Sequence, residues 1–248
     1  MMLKFDHLVH FSTSPLKAAE EFSLHGFQVI PGGSHPNWGT YNSLSYFPGL
    51  RYIEWIGINK MSIASTSDNP LIQQIVHDSF KGEGFSQIAF RTDDIEALAT
   101  NLTEKGFTTI GPIQGSRKRE DGTVLEWSML FIDDQELRLP FFIQWGKRDE
   151  ERDNDLQSLM NHENGTPSFS FVGYAVKDAR NFARKLCNIV GVKKLDIYQT
   201  YSEINVDGIG VRFYEKEGSQ RPMLVGITGV NEEKTIEIAG GRYHLLRV

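Results

Sequence analysis

The sequence predicts an α+β fold: tandem βαβββ modules forming a cup-shaped mixed sheet, with a third, diverged βαβββ-like module at the C-terminal end. Three observations carry this. Residues 5–27 (FDHLVHFSTSPLKAAEEFSLHGF) and 85–107 (FSQIAFRTDDIEALATNLTEKGF) superpose without a gap, an internal repeat at an offset of 80 residues. Each copy reads as an apolar strand, a polar capping turn, an amphipathic helix and a Gly-Phe exit, with further strands behind it. His7 and Gln87 stand at the same place in the two first strands, so two modules facing one another would aim both at one centre.

In the first module, Phe5 to Ser12 is the opening strand. Ser14 is the expected N-cap, Pro15 fits the first helical turn, and Leu16, Ala19, Phe22 and Ala18 form the buried stripe that Gly26 closes. Gln28 to Pro31, Thr40 to Phe47 and Arg51 to Ile58 follow as strands, with a turn at Pro48-Gly49. Residues 60–84 form a connector containing a short helix started by Asn69-Pro70, whose apolar side is Leu71, Ile72, Ile75, Val76 and Phe80. The second module runs from Phe85 to Trp145, its helix capped by Asp93 or Asp94 and its last strands at Val124 to Ile132 and Leu137 to Trp145. The polar stretch Gln114 to Gly122 is expected to absorb its greater length as a long loop.

Residues 1–146 are thus read as paired modules (1–59 and 85–146). Residues 147–167 are charged and amide-rich and read as a surface linker with a helix near Asp155 to Asn161. Residues 168–248 make the third module, with a strand, an Asp-capped helix and strands at Val211 to Glu215, Met223 to Thr228, Thr235 to Ile238 and Tyr243 to Val248. A lone module leaves a sheet face bare, so it must pack on the first two or on a second chain; joining sheets across a two-fold axis would make a homodimer.

Composition bounds the function. A chain of 248 residues with 40% hydrophobic and 11% aromatic residues can bury a substantial core, and a formal charge of −6 offers no broad basic surface for nucleic acid. The basic run Arg117-Lys118-Arg119 is followed by Glu120 and Asp121 and reads as a solvated hairpin tip. No apolar stretch is long enough to span a bilayer and the N-terminus carries no secretory pattern, so no membrane partner is expected and the cytoplasm is the expected compartment. The lone Cys187 falls on the apolar side of a helical pattern and reads as a structural thiol. Glu54 lies between Ile53 and Trp55 in an apolar strand, where an unpartnered carboxylate costs several kcal/mol, so it should meet a cation, a donor or a metal.

The DHLVHFS opening, the GGSHPNWGTYN stretch, the YIEWIG strand and the LPFFIQW strand, together with the repeat, resemble the vicinal oxygen chelate superfamily and, within it, the glyoxalase-like domain family. The resemblance covers residues 1 to about 146 well. It implies a cup whose metal is held by one residue from the first and last strand of each module. Here those are His7, Glu54, Gln87 and a fourth position at Gln144, which a two-residue slip would move to Phe142. His plus Glu suits Zn, Ni, Mn or Fe, with amide oxygens as weaker ligands; a single His excludes the two-His, one-carboxylate triad of iron oxygenases. His7 also reads as a satisfied structural histidine.

GGSHPNWGTYN is by itself an irregular loop between strands, and the resemblance places it at the cup mouth. There His35 could shuttle a proton and Asn42 could bind a substrate carbonyl or carboxylate, with Trp38, Tyr46, Phe142 and Trp145 as packing or pocket wall. The resemblance implies a divalent-metal lyase or isomerase acting on a small oxygen-rich molecule, with Glu54 as ligand and base. The alternative is a metal-free small-molecule-binding protein of the same fold.

Overall fold

The computed structural model describes residues 3–118 and 122–247. The first half of the chain runs β1 (Lys4–Phe11), α1 (Pro15–Ser23), β2 (Ile30–His35), β3 (Thr40–Phe47), β4 (Arg51–Ile58), α2 (Met61–Ala64), α3 (Pro70–Ser79), β5 (Gly84–Arg91), α4 (Ile95–Glu104), β6 (Thr109–Lys118), β7 (Val124–Ile132) and β8 (Phe141–Trp145). These strands form one sheet in the order β2-β3-β4-β1-β5-β8-β7-β6, curled into a half-barrel whose edges approach each other. Within each module the first strand pairs parallel with the last, and β1 joins the modules antiparallel to β5.

Local chemistry explains the elements, and in places corrects the expectations above. In α1, Pro15 occupies the first turn, but the Ser14 hydroxyl makes no capping bond, and Leu16 is exposed rather than buried. The buried stripe begins at Pro15 and continues through Ala18, Ala19 and Phe22, which puts residue 16 about 100° round the helix from it. In α3, Asn69 caps as expected, accepting from the Leu71 and Ile72 amides, whereas Phe80 lies past the helix end and is solvent-exposed. Asp94, not Asp93, caps α4.

The glycine-rich stretch after the first helix is not an irregular loop. Ile30–His35 is a strand paired to β3, with a bulge at Gly32, and only residues 36–39 turn. Gln114 to Gly122 is likewise not a long loop: β6 continues to Lys118, paired to Val124, and residues 119–121 of the expected tip lie outside the described residues.

The connector and the charged segment close the cup. Leu71, Ile72 and Ile75 of α3 pack on the concave face against Val9, Phe11 and Phe141. Residues 147–167 were expected as a surface linker; instead α5 (Asp149–Leu156) and a 3-10 turn (Gln157–Met160) bury Arg152 and Leu156, the latter against Tyr46 and Tyr52.

The remainder forms a second sheet: β9 (Ser168–Val176), α6 (Ala179–Val190), β10 (Asp196–Ile197), β11 (Ser202–Val206), β12 (Ile209–Glu215), β13 (Pro222–Thr228), β14 (Lys234–Ile238) and β15 (Gly241–Leu246). Its order, β10-β11-β12-β9-β13-β15-β14, matches the first sheet position by position except for the last edge strand. Residues 168–215 run strand, helix, three strands; residues 222–246 supply three more strands with no helix among them. The face that needed cover finds it within the chain: α1, α4, α6 and the convex sides of both sheets share one core containing Phe5, Trp55, Phe142, Tyr174 and Tyr243. Cys187 is half-buried at its edge, and burial pushes its thiol pKa up. No described helix is long and apolar enough to cross a membrane.

Candidate functional site

One extra residue adds a carboxylate behind the cup. β1 bulges against β5 between Phe5 and His7, so Asp6 and His7 escape strict alternation and share the concave side. Asp6 is fully buried. Its Oδ1 lies 2.7 Å from His7 Nδ1 and its Oδ2 accepts from Trp145 Nε1 at 3.1 Å, with Arg91 and Arg152 at 3.8 and 3.9 Å. Burial alone would raise the Asp6 pKa, but the His7 hydrogen bond and the charges of Arg152, His7 and Arg91 together outweigh it and leave the carboxyl below its ordinary range. An ionised Asp6 only accepts, so it fixes Nδ1 of His7 as a protonated nitrogen and turns Nε2 toward the cavity, where it offers a lone pair whenever the imidazole is uncharged. The imidazole is further held by stacking on Tyr52 at 4.4 Å.

Across the cup stands Glu54 on β4, 8% exposed, with its Oε2 3.9 Å from His7 Nε2. Its other oxygen accepts from Asn42 Nδ2 at 2.5 Å, and Asn42 Oδ1 accepts from Arg117 Nη1 at 3.0 Å. Only one orientation of the amide satisfies a carboxylate on one side and a guanidinium on the other, so Asn42 is fixed. A relay results: Arg117, Asn42, Glu54, then a gap, then His7 and Asp6. It passes directly over β2, where a Cβ on Gly32 would lie 2.0 Å from Asn42 Oδ1 and 2.7 Å from Arg117 Nη1. Gly32→Ala should therefore displace the Asn42 amide while leaving the fold in place. Loss of the Asn42 side-chain amide's protected signal in NMR, with an unchanged backbone spectrum, is the check.

His35 closes one wall. Its Nδ1 lies 3.0 Å from Thr40 Oγ1, and its ring packs against Trp38 and Trp127. Burial, reinforced by the Arg117 charge and opposed by Glu54, brings its pKa down to about 4, so it is neutral at pH 7. Aromatic residues such as Trp127, Trp145, Tyr52 and Phe141 and aliphatic ones such as Leu44, Ile56, Met129 and Ile143 share the remaining wall around a cavity of about 40 Å³, room for a few water molecules or one compact group.

The structure brings His7, Glu54, His35, Trp38 and Asn42 to this cavity; Gln87, Gln144 and Phe142 are not among its lining residues. Gln87 donates to the Leu139 carbonyl and accepts from the Ile88 amide and from Tyr174 of β9. Gln144 accepts from the Ile95 amide at the start of α4, and Phe142 packs in the core between the sheets. The reason is register. His7 pairs with Tyr52 and Ala89 with Phe141, so Gln87 falls opposite residue 139, and the counterpart of Glu54 is Phe141, not the Gln of the similar-looking IQW.

The resemblance implied a four-residue metal site, and the residues present do not fit one. An ion could span the gap between His7 and Glu54, but the second module offers an apolar ring and an amide engaged elsewhere, two donors short of a tetrahedral site. Among the described residues no group of three or more His, Cys, Asp and Glu side chains could hold an ion. Two members of the site escaped the sequence reading. Asp6 needed the bulge to be foreseen, and Arg117 was assigned to a solvated tip, whereas it is 6% exposed inside the cup.

The second sheet shows what the ladder does without these groups. Its bulges fall at Ser170 and Met223, matching Asp6 and Ser86, and its positions matching His7 and Glu54 are Phe171 and Arg212. There the guanidinium lies over the ring at 3.7 Å.

A family model described as a glyoxalase-like domain matches residues 5–190. A hypothetical protein from Staphylococcus aureus is similar over 100% of both chains, with 24% identity and a TM-score of 0.88, so the whole two-sheet arrangement is a shared fold. Methylmalonyl-CoA epimerase from Mycobacterium tuberculosis is similar over 60% of this chain and 91% of its own (16% identity, TM-score 0.44). The Streptomyces coelicolor epimerase is similar over 58% and 97% (16%, 0.43). No curated protein matches.

Proposed function

The chain belongs to the glyoxalase-like domain family of the vicinal oxygen chelate superfamily, and on that premise we propose that the cup binds a small molecule on which His7 and Glu54 move a proton, as in isomerase or lyase chemistry. One observation carries this reading: an imidazole Nε2 and a carboxylate Oε2, 3.9 Å apart, face one cavity, and each is oriented from behind by its own buried partner, Asp6 or Asn42. Two acceptors separated by more than a hydrogen bond suit a proton carried by a ligand between them. One of them takes the proton from an acidic C–H or O–H and, now protonated, returns that same proton at a neighbouring atom of the ligand, so that none is gained or lost over the cycle. His35, neutral and hydrogen-bonded to Thr40, is placed to relay a proton at the wall, and Trp38 and Trp127 keep bulk water out.

The test is solvent-deuterium incorporation at acidic C–H positions of a panel of small α-keto and α-hydroxy acids and aldehydes, followed by NMR in the presence of a chelator. Wild type should exchange at least one member, and Glu54→Gln should lower the rate on the order of 10²–10⁴-fold. Exchange equal in the two proteins, or exchange in neither, would remove the reading. Stoichiometric divalent metal on the native protein, lost together with exchange on chelation, would replace it with the metal-dependent alternative.

A further inference from the structure

We infer that Arg117 is the anchor for a carboxylate, so that the ligand of the cup is a compact acid with a small, apolar body. The inference takes the cup as the small-molecule site but does not need its proton chemistry. Arg117 reaches the cavity from β6 and is nine-tenths buried, yet no carboxylate lies within ion-pairing distance of it among the described residues. Among the described residues its one hydrogen bond goes to a neutral amide, Asn42 Oδ1, and its buried Nε–H finds no partner.

The other two buried arginines among the described residues, Arg91 and Arg152, each meet both Asp6 and Asp149. A desolvated guanidinium with an empty donor is costly unless something completes it, and the planar fork of Nε–H and Nη–H fits the two oxygens of a carboxylate.

Charge and shape narrow the class. His35 beside it is neutral, so one guanidinium is the only fixed cation lining the cavity, while Glu54 lies one residue away through Asn42. That balance suits a monoanion and disfavours a dianionic phosphate. The remaining wall is apolar, with Leu44, Ile56 and Ile143 beside the rings of Trp38 and Trp127, 5.9 Å apart, and Trp127 and Trp145, 5.6 Å apart, and its volume of about 40 Å³ accepts a short branched chain. Bound this way, the acid holds its α-carbon between Arg117 and the His7–Glu54 pair.

Titration calorimetry on the full-length protein tests this with propanoate, 2-methylpropanoate and 3-methyl-2-oxobutanoate, each beside its neutral amide. At least one acid should bind saturably and at least tenfold tighter than its amide. Arg117→Gln should erase that preference, and Arg117→Lys, which keeps the charge without the fork, should retain part of it and carries the test if the Gln variant does not fold. Glu54→Gln should bind the acid as tightly as wild type or tighter. No binding across the panel, equal binding of acid and amide, or a preference that survives Arg117→Gln would overturn the inference. Acid binding lost at Arg117 with no deuterium exchange in any protein would leave it standing and remove only the proton-transfer reading.

Discussion

Acidification from pH 6.5 to 4 should cost this protein on the order of 6 kcal/mol of stability through two histidines alone. His10 and His35 are both buried, and burial is the largest influence holding each at a pKa of about 4 against 6.5 in the unfolded chain. For His10 the nearby Arg221 charge adds to burial, while the Ala239 carbonyl and Glu83 oppose it. A base whose folded pKa is lowered leaves the unfolded state binding more protons between the two values, so stability is complete above 6.5 and falls until pH 4. About 2.5 units at 1.36 kcal/mol each gives about 3 kcal/mol per histidine. Asp6, whose folded pKa is depressed, keeps its contribution through this window and loses it only at still lower pH. Urea unfolding at pH 7.5, 5.5 and 4.5 should show the decline, and His10→Gln should flatten it by about one proton's worth of slope. A stability independent of pH over this range, or a slope unchanged in the variant, would contradict the account. His10 is the more telling of the two, because its ring nitrogens meet Tyr243 Oη at 2.7 Å and the Ala239 carbonyl at 2.8 Å, both from the second sheet. Its protonation should therefore loosen the two sheets from each other before either one melts.

Asp6→Asn should be the most damaging isosteric change in the chain. It removes one negative charge from a site with no solvent access, leaving Arg91 and Arg152 with Asp149 as their only counterion, at a cost of about 3 kcal/mol. It also unlocks His7, since an amide can donate to Nδ1 and drive the proton to Nε2, where no lone pair then faces the ligand. Proton exchange should fall on the order of 10²-fold or more even in molecules that remain folded. Nitrogen-15 chemical shifts of the His7 ring report the tautomer directly: a protonated Nδ1 in wild type and a protonated Nε2 in the variant. The same tautomer in both, with exchange intact, would show that Asp6 acts only as structural ballast.

Much of the architecture could be read from residue pattern, because the pattern is a direct imprint of packing. The repeat at Phe5 and Phe85, the Asn69-Pro70 and Asp178 helix starts and the aromatic and β-branched content of β3 and β4 all report which elements form and meet the core. What escaped was register. Whether Phe141 or Gln144 matches Glu54 depends on a three-residue offset that no local preference encodes, and side chains on a strand change face with every single step. Asp6 was invisible for a related reason: alternation puts it on the side opposite His7, and only the bulge brings it round. Arg117 misled because a run of cations next to acids has the composition of a solvent face, whereas β6 carries its first member inward.

The recurrence of one ladder in both sheets divides the chain's labour unevenly. The pairing of an imidazole with an acid occurs in a single quarter, and the equivalent places in the other three hold Gln87 and Phe141, Phe171 and Arg212, and Leu224 and His244. Natural variation between residues 168 and 248 should thus alter how long the molecule survives and leave its choice of ligand alone, with Tyr243 and Tyr174 as exceptions because their hydroxyls reach across to His10 and Gln87. The surplus copy behaves as a chassis, and it offers the experimenter a built-in blank against which any signal from the working quarter can be judged.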